Sequence, residues 1–199
     1  MASTGQRLKG RDGTARTALL LIDFINDLDF EHGERLAPQA LAAARATAAL
    51  RARAYEAGVP VIYVNDNFGR WQSRFDQAVR HCRRAGGRGR QIARLLAPRT
   101  QDYFVLKPMH SGFYLTSLSL LLEHLGVRRL ILTGLLADSC VLFTAHDAYL
   151  HRYRITVPPD CVASIEPAHA EQALEHMRRN LKALIKPSTK IQFRGEHGA

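Results

Sequence analysis

The sequence of 199 residues predicts a three-layer α/β/α protein with a doubly wound, mostly parallel sheet of five to six strands, Rossmann-like in plan. Two observations predict it. Short runs of Val, Ile and Leu without polar alternation recur along the chain, the pattern of strands buried on both faces. Segments with helical periodicity separate them, so each strand reaches its neighbour through a right-handed crossover.

The first strand is expected at 18–22, where four aliphatic residues lead into Asp23. A helix rich in Ala, Leu and Arg follows over about 38–57, then a second strand at 59–64. Residues 70–99 read as a basic, irregular insertion carrying nine Arg against the single acid Asp76. In such a fold, insertions after strands overhang the carboxyl ends where ligands bind. A third strand at 103–106 ends in Lys107-Pro108. A helix over 117–125 is closed by Gly126, and the fourth strand runs over 129–132. A helix from Cys140 to about His151, a strand at 154–157 and a helix from Pro167 to about Ile185 follow, with an edge strand possible at 190–193. The expected organisation is a flexible tail over 1–16, one domain over 17–194 and a second tail over 195–199.

Composition excludes several classes. The hydrophobic and charged fractions, 46% and 23%, are those of a globular protein. No apolar run approaches the roughly 18–20 residues of a membrane span, and the start lacks a signal-peptide core, so a cytoplasmic protein is expected. Three cysteines at wide spacing form neither a disulfide framework nor a zinc knuckle. The net charge of +10 suits nucleic acid or an anionic partner, but no aromatic ladder or nucleic-acid module accompanies it.

Three strand ends carry chemical groups. Asp23 follows an aliphatic run, where a carboxylate either caps a turn or has a task. Lys107 is one of only five Lys beside 23 Arg, and Lys, unlike Arg, can give up its proton. Cys140 stands just beyond the fourth strand at a helix start, where a positive dipole end lowers a thiol pKa; the alternative is a packed small hydrophobe. The carboxyl ends of strands one, three and four can converge on one crevice. Asp23 can then accept the thiol proton, Lys107 can stabilise the thiolate and Cys140 can attack a carbonyl.

These residues stand in L-L-L-I-D-F-I-N-D (19–27), K-P-M-H-S-G-F (107–113), T-G-L-L-A-D-S-C-V-L-F-T-A-H-D-A (133–148) and V-P-P-D-C-V-A-S (157–164). With those motifs the chain resembles the isochorismatase-like cysteine hydrolases, which include nicotinamidases, N-carbamoylsarcosine amidases and isochorismatases, over about residues 17–185. The resemblance implies a catalytic set of Asp23, Lys107 and Cys140. It also implies a cis peptide between Leu135 and Leu136, with the N–H groups of Leu136 and Cys140 as an oxyanion hole, and a homodimer or homotetramer. Asn67, Trp71, His110 and Phe113 are candidates for the substrate wall, although His110 could cap a turn and Phe113 could be core.

Departures from the family pattern narrow the choice. Ile25 stands where members usually carry Gln, and Ala137 where many carry Thr. Metal-using nicotinamidases carry an Asp-x-His pair and a further His after the second strand. This chain reads N-D-N-F-G-R-W over 65–71, with no His until His81, so no metal and no cofactor are expected. Isochorismatases of siderophore and phenazine pathways usually lack the nucleophilic Cys. The favoured expectation is therefore hydrolysis of a small amide, ureide or carbamoyl compound through a thioester on Cys140. Two alternatives stay open: vinyl-ether hydrolysis with Asp23 as acid, and an Arg-rich nucleic-acid or anionic-partner binding protein with a vestigial site.

Overall fold

Leu19, Leu20, Leu21 and Ile22 have no solvent exposure, and their alternation divides the protein into two cores. Leu19 and Leu21 face one layer; Ala18, Leu20 and Ile22 face the other. The protein is described by a computed structural model over residues 16–66, 75–84 and 86–193. The tails, Asn67 and Trp71 lie outside the described residues.

β1 (Arg16–Ile22), β2 (Val61–Asp66), β3 (Tyr103–Lys107), β4 (Val127–Leu135) and β5 (Arg154–Val157) occur where the aliphatic runs predict them. All described pairings are parallel, in the order β3-β2-β1-β4-β5, continued by β7 (Leu184–Ile185); β6 (Val162–Ala163) pairs the end of β4. The described sheet thus has seven strands, two of them only two residues long. The chain winds outward from β1 to β3 and then resumes at β4 on the other side. The switch point lies between β1 and β4, where a doubly wound sheet opens a crevice at its carboxyl edge.

One face carries α1 (Gly33–Glu56), α2 (Phe75–Cys82) and α3 (Arg90–Leu95); the other carries α4 (Leu118–His124), α5 (Leu142–Leu150) and α6 (Pro167–Asn180). α1 begins at Gly33, so Pro38 stands inside it, and Leu36 in its first turn is buried in the core. The segment read as irregular contains α2 and α3. Phe75, Ala78 and Cys82 form the buried stripe of α2 at helical spacing, a signal present in the sequence beneath the arginines.

Two C-terminal expectations are corrected. The last helix ends at Asn180, not Ile185: Lys182 turns into the left-handed region (φ 56°), and Leu184–Ile185 pairs with β5 instead. An open sheet edge offers backbone partners that outweigh local helical periodicity. Residues 190–193 make no strand. Arg53 donates to the carbonyls of Ser188 (2.7 Å) and Ile191 (2.8 Å), supplying the partners a neighbouring strand would have given.

Arg51 is buried and makes three hydrogen bonds. Its guanidinium donates to Tyr63 Oη (2.5 Å) and to the carbonyls of Leu95 (2.9 Å) and Ala97 (3.0 Å), while Tyr63 Oη donates to Leu96 O (2.8 Å). These bonds satisfy orphan carbonyls at the end of α3 and tie α1, β2 and α3 together.

Gly134 sits opposite Ile22 with φ 143°, and a Cβ there would lie 2.2 Å from Ile22 O. Only glycine allows β4 to approach β1 this closely at the switch point. Gly134→Ala is expected to cost about 3 kcal/mol in urea unfolding, against about 0.5 kcal/mol or less for Gly87→Ala, where a Cβ would meet only Arg84 O at 4.0 Å.

Candidate active site

Asp23 emerges from β1 in the left-handed region (φ 52°) and is 6% exposed. Its own N–H donates to Val64 O (2.9 Å), which fixes the carboxylate over the end of β2. Oδ1 accepts the Asp66 N–H at 2.8 Å, and Oδ2 lies 2.8 Å from Lys107 Nζ. Lys107, at the end of β3 and 1% exposed, also donates to Met109 O (3.2 Å) and to Cys140 Sγ (3.4 Å). The Asp23 carboxyl acts on the Cys140 thiol across the cluster and raises it. Carboxylate, ammonium and thiol, 23, 107 and 140 in the chain, therefore meet as one cluster at the switch point.

The turn that presents Cys140 is built in three steps. β4 ends with a cis peptide between Leu135 and Leu136. Residues Ala137–Val141 then form a single π-helical turn closed by Val141 N–H to Leu136 O (3.1 Å), and α5 continues from it. Cys140 thus stands in a wide turn ahead of the α-helix rather than at its first residue.

Several positioning residues within the quoted motifs had no role assigned from sequence. Thr144 Oγ1 donates to Cys140 O (2.7 Å) and accepts the Gly112 N–H (3.0 Å), coupling the thiol turn to the loop after Lys107. Ser111 Oγ donates to Asp147 on α5 at 2.5 Å, a second tether of the same loop. Ser164 Oγ donates to Asp138 Oδ1 at 2.5 Å, and His169 lies 3.7 Å from the other oxygen, so β6 and α6 brace the turn from behind. Their signal was in the sequence as short polar side chains inside motifs, but a hydroxyl's partner is set by tertiary contact.

The wall candidates separate. His110 Nδ1 is 3.9 Å from Cys140 Sγ and 3.5 Å from Ser139 Oγ, and its exposed ring stacks on Phe143. Phe113 is turned to the far end of α5: it is 7% exposed and packs on His151 (5.0 Å) and Tyr153 (5.9 Å) in the core.

The expectation of a lowered thiol pKa is overturned. Burial first, and the facing Asp23 carboxylate second, push the Cys140 thiol up to about 12 against the pull of Lys107. Burial also raises the Asp23 carboxyl, opposed chiefly by Lys107. Burial alone would lower Lys107, but the Asp23 charge, then Cys140, hold its ammonium above the ordinary value. The raised thiol favours attack by sulfur that is accompanied by proton transfer. Among the described residues no group of three or more His, Cys, Asp or Glu is arranged to hold a metal ion, and no helix is long and apolar enough to cross a membrane.

The buried ion pair and the thiol stand at the carboxyl edge of a parallel sheet, where a doubly wound fold places its ligands. The isochorismatase domain pattern matches residues 17–188, and the chain belongs to the isochorismatase family. The chain is similar to the uncharacterized isochorismatase family protein YaaI of Bacillus subtilis (strain 168), 40% identical over 89% of this chain and 97% of that one. It is 28% identical to the maleamate amidohydrolase of Pseudomonas putida over 74% and 72% of the two chains. The structure of N-carbamoylsarcosine amidase from Thermoplasma acidophilum superposes with a TM-score of 0.70 at 30% identity, covering 89% of this chain and 99% of that one. The protein is a hydrolase related to amidohydrolases, and a small-molecule substrate fits that family.

The facing charges set the thiol, so their removal has opposite signs. Carboxamidomethylation of Cys140 by iodoacetamide, followed by peptide mass spectrometry at pH 8, is expected to be at least about tenfold faster in Asp23→Asn and slower in Lys107→Met than in the native protein. Faster labelling in Lys107→Met would reverse the assignment of charges.

Proposed function

We propose that the protein is a cysteine amidohydrolase that cleaves the C–N bond of a small amide, ureide or carbamoyl compound, with the thiol rather than a metal-bound water as nucleophile. The observation that carries the reading is the cluster itself: Lys107 Nζ lies 2.8 Å from Asp23 Oδ2 and 3.4 Å from Cys140 Sγ.

In this mechanism Asp23 takes the thiol proton as sulfur adds to the substrate carbonyl. The raised carboxyl makes a stronger base than an ordinary Asp, and Lys107 stabilises the developing thiolate. The carbonyl oxygen, now negative, accepts from the N–H groups of Leu136 and Cys140; one such donor contributes roughly 10²–10³ in rate. The C–N bond then breaks, and the nitrogen leaves with the proton held on Asp23. Water attacks the resulting thioester, passes a proton to Asp23 and releases the acid, and the sulfur recovers its proton from the same carboxyl. His110 borders the solvent side of the thiol, where a substrate would enter.

Cys140→Ala is expected to abolish turnover of a panel of amides, ureides and carbamoyl compounds and to remove any acyl adduct seen by intact mass spectrometry of the native enzyme. Undiminished turnover in that variant would exclude the thioester route. One observation favours a second reading, vinyl-ether hydrolysis with Asp23 as acid: the same raised carboxyl favours its protonated form. The pH profile separates the two. A basic Asp23 with a raised pKa places the acid limb of kcat/KM above the usual carboxylate range, with activity retained through pH 9 because the thiol titrates at about 12. An acidic Asp23 requires activity to fall as pH rises through that same value.

A further inference from the structure

α5 and α6 lie side by side on one face of the sheet, and each presents an imidazole at the surface. His146 Nε2 and His176 Nε2 are 3.1 Å apart, with ring centroids 5.1 Å apart and the planes inclined by 46°. The other nitrogen of His176, Nδ1, lies 3.1 Å from the side-chain amide of Asn180, one helical turn on. None of these residues takes part in the Asp23–Lys107–Cys140 cluster.

Two imidazole nitrogens bound to one metal ion at about 2.0–2.1 Å each, in tetrahedral or octahedral geometry, are about 2.9–3.4 Å apart. The observed separation lies within that range. The amide atom nearest the ring is Asn180 Nδ2. Flipped about its last bond, the amide places Oδ1 there instead, accepts the Nδ1 proton of His176 and leaves the Nε2 lone pair directed at His146.

We propose that His146 and His176 form a two-histidine site for a divalent transition metal of the zinc, nickel or copper type. Imidazole nitrogen suits these ions, whereas magnesium and calcium favour oxygen. No third His, Cys, Asp or Glu among the described residues completes the set. Water fills the remaining positions, and the ion exchanges freely. Its structural effect is a clamp: α5 continues directly from the turn bearing Cys140, and α6 carries His169, which faces Asp138 of the same turn. A metal across the two helices ties together the elements that hold the nucleophile in place. The site rests on the histidine geometry alone and stands whether or not Cys140 is the nucleophile.

The test is titration of untagged protein with Zn²⁺ and with Ni²⁺ by calorimetry, paired with thermal melts at the same metal concentrations. The native protein and Cys140→Ala are expected to bind one equivalent and to gain in melting temperature. His146→Ala and His176→Ala should each weaken binding at least about tenfold and lose the thermal gain, and Asn180→Ala should weaken it by about tenfold through misorientation of the ring. His176 and Asn180 are exposed and His146 is half-buried, and metal-free melting temperatures check that each variant folds. Absence of binding to the native protein would make the contact a plain imidazole–imidazole hydrogen bond and overturn the proposal. Binding that survives both histidine variants, or that vanishes in Cys140→Ala, would place the ion elsewhere and overturn it too.

Discussion

The contact between Lys107 and Asp23 governs the rest of the structure. An ion pair this deeply buried is expensive, since each charge gives up its hydration. Such a pair persists only when its remaining valences are met. Here the Asp66 N–H, the Met109 carbonyl and the Cys140 thiol meet them. Each of those partners belongs to a different strand end or to the turn beyond it. The ion pair therefore draws the carboxyl edges of β1, β2 and β3 and the exit of β4 to a single point, and it also decides how the thiol behaves. The facing carboxylate, together with burial, pushes the thiol toward its protonated form.

The surrounding architecture keeps that point narrow and rigid. Gly134 lets β4 approach β1 at the switch point, and Asp23 leaves β1 in a left-handed conformation stabilised by Val64 O. Thr144 joins the thiol turn to the loop after Lys107, and the Ser164–Asp138 bond holds the turn from the side of β6. Short hydroxyl side chains on rigid elements perform this positioning, which suits a site whose reacting atoms must be held within a few tenths of an ångström. The same economy runs through the lower half of the molecule, where Arg51 and Arg53 satisfy the carbonyls that irregular backbone would leave unpaired.

Much of this was legible before folding. The five long strands fall where aliphatic runs occur, because a strand covered on both faces must be apolar throughout. Asp23 and Lys107 stood out as charged residues directly after such runs, and Cys140 as a thiol just past another. What escaped was of two kinds. α2 was hidden by composition, its buried stripe masked by flanking arginines. Residues 181–185 and 190–193 fold otherwise than expected because helical periodicity and short apolar stretches are local signals, whereas the edge of β5 and the guanidinium of Arg53 are not.

The sequence by itself determined the layer architecture, the family and the identity of the three groups at the strand ends. Hydrophobic periodicity and short motifs encode those locally. Tertiary structure alone decided their mutual distances, the role of Thr144, Asp138 and Ser164 in bracing the turn, and the burial of Phe113 against His151 and Tyr153. It also decided the state of Cys140. A helix start argues for a thiolate, but desolvation and a facing carboxylate outweigh the dipole and leave a protonated thiol. Those two terms depend on what surrounds the sulfur in space, and residues 117 positions apart in the chain supply the carboxylate.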